Sequence, residues 1–198
     1  MEPGLNWVAS HLAAGGLLAE RKDSTSRVSA LVSAVKSYSQ LDRASLQVID
    51  VTDGIESTLV MLSYKMRDGV TVVRDYGADV PRVEANTGEW NQVWTNLIDN
   101  AIDAMDGQGT LRIATRADTE TVVVEVVDSG PGMPPDIQAH AFDPFFTTKD
   151  VGKGTGLGLD ISRRIVVERH GGEITMDTRP GETVLRVRLP RHRPKATE

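Results

Sequence analysis

The sequence lacks cysteine, an excess of positive charge and long apolar runs, and each absence excludes a class of site or partner. Its 198 residues include no cysteine, which excludes disulfides, thiolate catalysis and cysteine-based zinc sites. The formal net charge is −6, so a nucleic-acid backbone is not expected as a partner. No apolar run approaches the roughly 18 residues of a membrane span, and the amino terminus lacks the pattern of a secretion signal. We therefore expect a cytoplasmic location and no membrane contact from this segment.

The amino-terminal part of the chain is predicted to be helical. Between Leu5 and Arg43 there is no strand signal, and apolar residues recur at spacings of three and four, at Val28, Leu31, Val35, Tyr38 and Leu41. Such a stripe is typical of an amphipathic helix packed on the rest of a domain, and it also suits one helix of a dimer-forming hairpin. We therefore predict a helical segment over residues 1–45, a main domain over 46–190 and a disordered polar tail over 191–198.

The main domain is predicted to have an α+β fold. Its predicted helices cover Asp53–Arg67, where Asp53 and Glu56 would form a capping box, Thr87–Met105, and Thr155–His170, which His170 would cap. One predicted strand begins at Val70, and four more lie near Thr110–Arg116, Thr121–Val127, Glu173–Thr178 and Thr183–Leu189. Strands paired through short turns predict a two-layer sandwich. It would contain a mixed, largely antiparallel sheet with helices on one face, preceded by the helical dimerisation segment.

A polar stripe lies on the predicted Thr87–Met105 helix. At about 100° per residue, the members of this stripe fall within an arc of roughly 80°; they are Gln92, Asn96, Asn100 and Asp103. The predicted apolar side consists of Trp90, Val93, Trp94, Leu97, Ala101 and Ala104. A solvated face would explain the stripe, but such faces favour Lys and Glu. Asn and Asp instead suit a hard cation such as Mg²⁺, which shares a few protein oxygens with nucleotide phosphates.

Two glycine-rich strings flank a long irregular segment. The first, Asp128-Ser-Gly-Pro-Gly-Met133, follows an apolar strand. Its carboxylate could accept a hydrogen bond from an exocyclic amino group while the glycines allow close approach, although such a string is also a common strand ending. The second, Gly152–Leu159, precedes a helical pattern and suits phosphate oxygens. It is neither a Walker loop nor a Rossmann fingerprint.

The segment between these strings, from Ser129 to Gly154, is predicted to be a lid. About 25 irregular residues inside a compact domain are normally functional or disordered, and the flanking glycines are typical of hinges. The segment contains all three phenylalanines of the chain, which would form either a small satellite core or a latch; they are Phe142, Phe145 and Phe146. Lys149 could meet a phosphate as a point charge or be an ordinary surface residue.

Taken together, these motifs resemble the ATP-binding catalytic domain of sensor histidine kinases. That domain belongs to the superfamily that also contains gyrase, the heat-shock ATPase chaperone and the mismatch-repair ATPase. The resemblance covers about Asp50 to Pro190, and the string Phe-Asp-Pro-Phe-Phe-Thr-Thr-Lys at 142–149 is most similar to the nitrogen-regulator branch. It implies ATP and Mg²⁺ as cofactors, a response regulator as partner and a homodimer formed through the amino-terminal helices.

The resemblance also implies a role for each matching residue. Asn100 would be the Mg²⁺ ligand, Asn96 and Asp103 would support the phosphates or a water on the metal, and Asp128 would bind the adenine amino group. The other implied ATP contacts are Gly130, Gly132 and Met133 around the base, the lid residues Phe142, Thr147 and Lys149, the phosphate-loop residues Gly154, Thr155, Gly156, Leu157, Gly158 and Leu159, and Thr183. The implied catalytic residues are Asn96, Asn100 and Lys149.

Two departures limit what the resemblance implies. In the hydrolysing relatives, the position of Asn96 is a Glu that activates water; Asn is usual in the kinases, so phosphoryl transfer is expected rather than rapid hydrolysis. The acceptor of the kinases is a His followed by an acidic residue, whereas His11 is followed by Leu12, so the phosphoacceptor is unknown.

The implied function is that of the catalytic part of a two-component sensor histidine kinase, which transfers the ATP γ-phosphoryl group to a histidine for relay to a response regulator. Two alternatives stay open. The first is an ATP-binding regulatory module without phosphotransfer. The second is an anti-sigma-type serine kinase, which lacks a long dimerisation hairpin.

Overall fold

The structure is a computed structural model that describes residues 46–66, 69–150 and 154–191. The predicted helical segment over residues 1–45 and the predicted tail from residue 192 onward lie outside these ranges. Residues 147–150 and 154–155 are the described part of a small second unit, and the other described residues belong to the main unit. No helix among the described residues has the length and apolar character needed to cross a bilayer.

Seven strands form two sheets in the described part of the chain: β1 (Gln47–Ile49), β2 (Val70–Tyr76), β3 (Val83–Ala85), β4 (Gly109–Ala117), β5 (Thr121–Asp128), β6 (Glu173–Arg179) and β7 (Glu182–Pro190). The main sheet has the order β2-β4-β5-β7-β6. Only its β2–β4 pair is parallel, so the predicted mixed, largely antiparallel sheet is confirmed. β1 and β3 form a separate antiparallel pair that the sequence patterns did not predict.

The described helices are α1 (Val51–Met61), α2 (Ser63–Met66), α3 (Thr87–Ala104), α4 (Pro135–His140) and α5 (Gly158–Arg163), which continues into a π-helix over Arg164–Arg169. Helices α1, α3, α5 and the π-helix form one layer, and α3 and the π-helix contact the sheet. This arrangement confirms the predicted two-layer α+β sandwich. The lid prediction was wrong in one respect, because α4 interrupts the segment that was expected to be irregular.

Helix α3 lies at the centre of the core. Its predicted apolar side is buried at Trp90, Val93, Trp94, Leu97 and Ala101, whereas Ala104 is exposed, contrary to prediction. Burying each large side chain stabilises the fold by about 1.5–3 kcal/mol. The helix begins at Asn86, whose Oδ1 accepts hydrogen bonds from the Gly88 and Glu89 amides at 3.0 and 3.4 Å. A capped, largely buried α3 therefore places its polar stripe rigidly.

The start of α1 differs from the predicted capping box. Asp50 is the N-cap and accepts from the Thr52 amide at 2.9 Å, while Asp53 lies in the first turn. Glu56 turns away from the helix end and accepts from Arg74 Nε at 2.7 Å and from the Tyr76 hydroxyl at 2.6 Å. The capping-box prediction was wrong because Glu56 bonds to side chains of β2 instead of to the start of its own helix.

The final helix begins at Gly158 rather than at the predicted Thr155. It ends as predicted at the two glycines, because Gly171 has φ of 63° and donates to the Val167 carbonyl at 3.1 Å. A left-handed residue at this position is a common helix terminator. The helix thus connects the glycine-rich loop to β6.

Candidate nucleotide-binding site

Asp128 is the last residue of β5, in the middle of the main sheet. Leu111 on β4 and Thr183 on β7 lie opposite it, and its side chain is only 3% exposed. Its Oδ1 accepts from the Gly130 amide at 2.9 Å, and Oδ2 accepts no hydrogen bond among the described residues. Burial raises the pKa of Asp128, and the Gly130 bond opposes that shift only in part. The site therefore holds a desolvated carboxylate with one oxygen left for a donor.

The turn after Asp128 packs against the β6–β7 hairpin. Gly132 has φ of 74°, and a Cβ there would lie 2.3 Å from the Arg179 carbonyl oxygen. The Met133 amide donates to Thr178 Oγ1 at 3.0 Å, and that oxygen lies 3.3 Å from Thr183 Oγ1. Gly132 thus permits a contact that any other residue would obstruct.

The predicted base-pocket residues are brought together by these contacts: Asp128, Gly130, Gly132, Met133 and Thr183. Thr178 was missed, although the hairpin around Pro180 and Gly181 pairs it directly with Thr183. A two-residue turn determines the register on both sides. The sequence therefore contained a signal for Thr178.

Asn96 connects α3 to the start of α5. Its Nδ2 donates to the Gly158 carbonyl at 2.9 Å and to Ser162 Oγ at 3.2 Å, and its Oδ1 accepts from Gln92 at 3.1 Å. Ser162 is fully buried and was not predicted. Asn100 is half-buried one helical turn further along the same stripe. The structure thus holds Asn96 against the start of α5, with Asn100 beyond it.

Asp103 has a neighbour that the sequence did not indicate. Lys65 of α2 lies 3.1 Å from Asp103 and 2.5 Å from Asp99. Burial lowers the pKa of Lys65, but the two carboxylates outweigh burial and the net shift is upward. Asp103 therefore takes part in an ion pair between α2 and α3, and its support of the phosphates stays a prediction.

In the main unit, Phe145 lies directly against Gly156. The Phe145 amide donates to the Gly156 carbonyl at 2.9 Å, and both residues have φ of 66°. A Cβ on Gly156 would lie 2.3 Å from the Phe145 carbonyl carbon. Phe145 is 71% exposed, whereas Phe142 and Phe146 are half-buried. A left-handed phenylalanine costs about 1–3 kcal/mol, a strain common in functional loops.

The remaining predicted ATP contacts lie in the second glycine-rich string, Gly152–Leu159, and just before it. In the small unit, the Lys149 amide donates to Thr147 Oγ1 at 3.2 Å, and a Cβ on Gly154 would lie 2.7 Å from that oxygen. In the main unit, α5 starts after Leu157, whose side chain makes no capping bond. Such a helix start suits phosphate oxygens. The predicted contacts of Thr147, Lys149, Gly154, Thr155 and Leu159 with ATP stay predictions.

A buried polar cluster lies where α3 begins and the π-helix ends. Glu89, 7% exposed, accepts from Arg169 Nη1 at 2.9 Å and from His170 Nε2 at 2.7 Å. Burial alone would raise the pKa of Glu89, but the bonds and charges of His170 and Arg169 reverse the shift and hold it below its usual value. His170 is the C-cap residue of the π-helix, as predicted, and its side chain reaches across to α3, where it lies 4.9 Å from the Trp90 ring.

The fold and site define a class: a two-layer α+β domain with a buried strand-end carboxylate, an Asn-bearing helix and a glycine-rich loop before the last helix. Residues 85–193, more than half of the chain, match the profile described as "Histidine kinase-, DNA gyrase B-, and HSP90-like ATPase". The chain belongs to this family, which confirms the resemblance.

Curated relatives are sensor kinases. The sensor kinase CckA of Brucella abortus is 34% identical over 186 residues, which cover 86% of this chain and 20% of the relative. The sensory histidine kinase/phosphatase NtrB of Rhodobacter capsulatus is 30% identical over 181 residues, covering 85% and 50%. The presence of NtrB agrees with the predicted nitrogen-regulator branch. The chain spans at most half the length of these two relatives.

Solved structures agree with the fold. The nucleotide-free catalytic domain of histidine kinase ThkA has a TM-score of 0.67 and 33% identity, covering 74% of this chain and 98% of that one. ThkA in complex with the response regulator protein TrrA has a TM-score of 0.72 and 28% identity, covering 86% and 49%.

Proposed function

We propose that this chain is the ATP-binding catalytic part of a two-component sensor kinase and transfers the γ-phosphoryl group of Mg-ATP to a histidine. The observation that carries the proposal is the buried Asp128 carboxylate. Its Oδ2 accepts no bond among the described residues, and the neighbouring Thr183 hydroxyl lies on the next strand. An ionised carboxylate only accepts hydrogen bonds, which suits the adenine amino group. The Gly130–Met133 turn would shape the rest of the base pocket.

The polar stripe of α3 supports the phosphate half of the proposal. Asn100 would hold Mg²⁺, which neutralises the charge that develops on the phosphates during transfer. Asn96 is held by Gly158 and Ser162, so it keeps α3 against the phosphate loop. An Asn amide is not a general base, so this site favours positioning of the phosphoryl group over activation of water.

The proposed partners are a phosphoacceptor histidine and a response regulator. The acceptor is proposed to lie on a helical segment outside the described residues or on another chain. The sensor kinase names of CckA and NtrB support the first partner, and the ThkA complex with TrrA supports the second.

Binding is tested first, with a fluorescent ATP analogue and Mg²⁺. The expected result is Mg²⁺-dependent binding that Asn100→Ala weakens and that Asn91→Ala, on the same helix but beside Gly54, leaves unchanged. An absence of binding to the wild-type chain would refute the proposal.

Transfer is tested next, with γ-labelled ATP and a histidine-bearing dimerisation helix of a sensor kinase supplied in trans. Acid-labile label on that helix, lost in Asn100→Ala but kept in Asn91→Ala, is the expected result. Binding without any label transfer would leave the regulatory module as the function.

A further inference from the structure

Two polar connections join α3 to the helix that follows the phosphate loop. At the nucleotide end, Asn96 donates to the Gly158 carbonyl at 2.9 Å and to Ser162 Oγ at 3.2 Å. At the other end, Glu89 accepts from Arg169 at 2.9 Å and from His170 at 2.7 Å. Both connections span more than sixty residues of sequence, so they form only when the two helices have packed.

The two connections have matching spacings on antiparallel helices. Glu89 precedes Asn96 by two turns of α3, about 10 Å along its axis. Ser162 precedes Arg169 by the same number of residues in the other helix. A single connection would let one helix pivot on the other, whereas two connections at separate heights resist both rotation and sliding.

The π-helix lies between the two connections. It covers Arg164–Arg169 and shifts the phase of every side chain beyond it relative to an unbroken α-helix. Two residues bond to Glu89. Arg169 is the last residue of the π-helix, and His170 follows it. The distortion therefore determines which side chains face α3, and π-helical turns of this kind are frequent near functional sites.

We propose that Glu89, through Arg169 and His170, is a positioning residue for the nucleotide site. This inference rests on the proposed function. Glu89 lies two turns away from Asn96 and does not touch the ligand. It fixes the axial and rotational setting of α3 against α5, and hence the distance between the Asn100 side chain and the Gly158 end of α5. Without the Glu89 connection, α3 could rotate about Asn96 against α5, and Mg-ATP binding would weaken although Glu89 does not touch the ligand.

The experiment compares Mg-ATP affinities by titration calorimetry of the full chain, at a temperature where every variant is folded. Glu89→Gln is expected to weaken binding about tenfold, the lower end of what supporting residues contribute at metal sites. The matched control is Val187→Ala, a fully buried position of β7 whose strand neighbours are Val124 and Ile174. It should lower the melting temperature while leaving the affinity within about twofold.

A second pair of variants covers the case in which Glu89→Gln does not fold. Arg169→Gln removes the positive charge that faces Glu89 from a half-exposed position, and Arg169→Lys restores a cation there. Weaker binding in Arg169→Gln, with recovery in Arg169→Lys, supports positioning. Unchanged affinity in Glu89→Gln or in Arg169→Gln, whatever the melting temperature does, overturns the inference.

Failure of the proposed function would be seen separately, as a wild-type chain that does not bind Mg-ATP. The inference would then be decided without nucleotide, from the side-chain amide resonances of Asn96 in nitrogen–proton correlation spectra. The amide protons of Asn96 bond to Gly158 and Ser162. A positioning role of Glu89 therefore predicts that their resonances shift in Glu89→Gln and do not shift in Val187→Ala. Identical resonances in Glu89→Gln and wild type would overturn it.

Discussion

Replacing Asp128 with Asn separates the stability of the fold from its proposed function. The substitution keeps the shape of the side chain and the oxygen that accepts from the Gly130 amide. It converts the other oxygen into an NH₂ group, which would face the adenine amino group as donor against donor. A hydrogen bond to a charged group is worth about 1.5–3 kcal/mol, so we expect nucleotide affinity to fall roughly 10- to 150-fold.

The stability of the ligand-free chain should change in the opposite direction. Asp128 is 3% exposed, and burial is the largest cause of its raised pKa. An ionised group in such a place weakens the fold, so its neutral counterpart should melt at an equal or higher temperature. The assay is a melting curve of each protein without nucleotide, paired with calorimetric titration of Mg-ATP.

The pH dependence of this difference has a definite sign. A carboxyl group whose pKa is raised by folding binds its proton more tightly in the folded state. Its contribution to stability is complete below the unfolded pKa, about 3.9 for Asp, and is lost as pH rises through the folded pKa. The advantage of the Asp128→Asn variant over the wild type should therefore be absent in acid and grow as pH rises. A lower melting temperature of the variant at neutral pH, or unchanged affinity, would refute the reasoning.

Four further substitutions test other parts of the site and fold. Gly132→Ala should destabilise by more than about 2 kcal/mol, because it adds the clash with Arg179 to left-handed strain. Gly181→Ala, at φ of 85° with open space around it, should cost only about 1–2 kcal/mol; equal losses in chemical denaturation would contradict the close-contact argument. Asn96→Asp loses the amide donor to Gly158 and should cost about 1–3 kcal/mol of stability together with nucleotide affinity; retention of both would show that the bond is dispensable. Tyr76→Phe should cost about 1 kcal/mol or less, because its partner Glu56 is partly exposed. The pKa of Glu56 is depressed chiefly by Arg74, so its stabilisation is present above the unfolded pKa and is lost as pH falls through the folded pKa. In Tyr76→Phe the folded pKa should lie closer to the unfolded one, so the loss in acid should be smaller and complete at a higher pH; an unchanged acid transition would argue against the bond.

Much of the candidate site could be predicted from local sequence alone. The apolar run of β5 predicts a strand that ends at Asp128, and the 3.6-residue period places Gln92 and Asn96 on one face, where the structure finds them bonded. These predictions succeed because backbone geometry alone determines which residues share a face or a strand end. The Glu56 capping box failed for the complementary reason: a competing partner, Arg74, lay on another element.

The sequence by itself therefore determined the five strands of the main sheet, the three long helices, the position of the buried carboxylate and the polar stripe of α3, because each depends on neighbours within a few residues. Only the tertiary structure decided the pairing of β1 with β3, the contact of Asn96 with Ser162, and the bonds of Glu89 to Arg169 and His170. Each of these joins residues far apart in the chain, and local periodicity carries no information about which distant element will lie alongside. Their partners become defined only when burial of the apolar faces has fixed the packing of the layers.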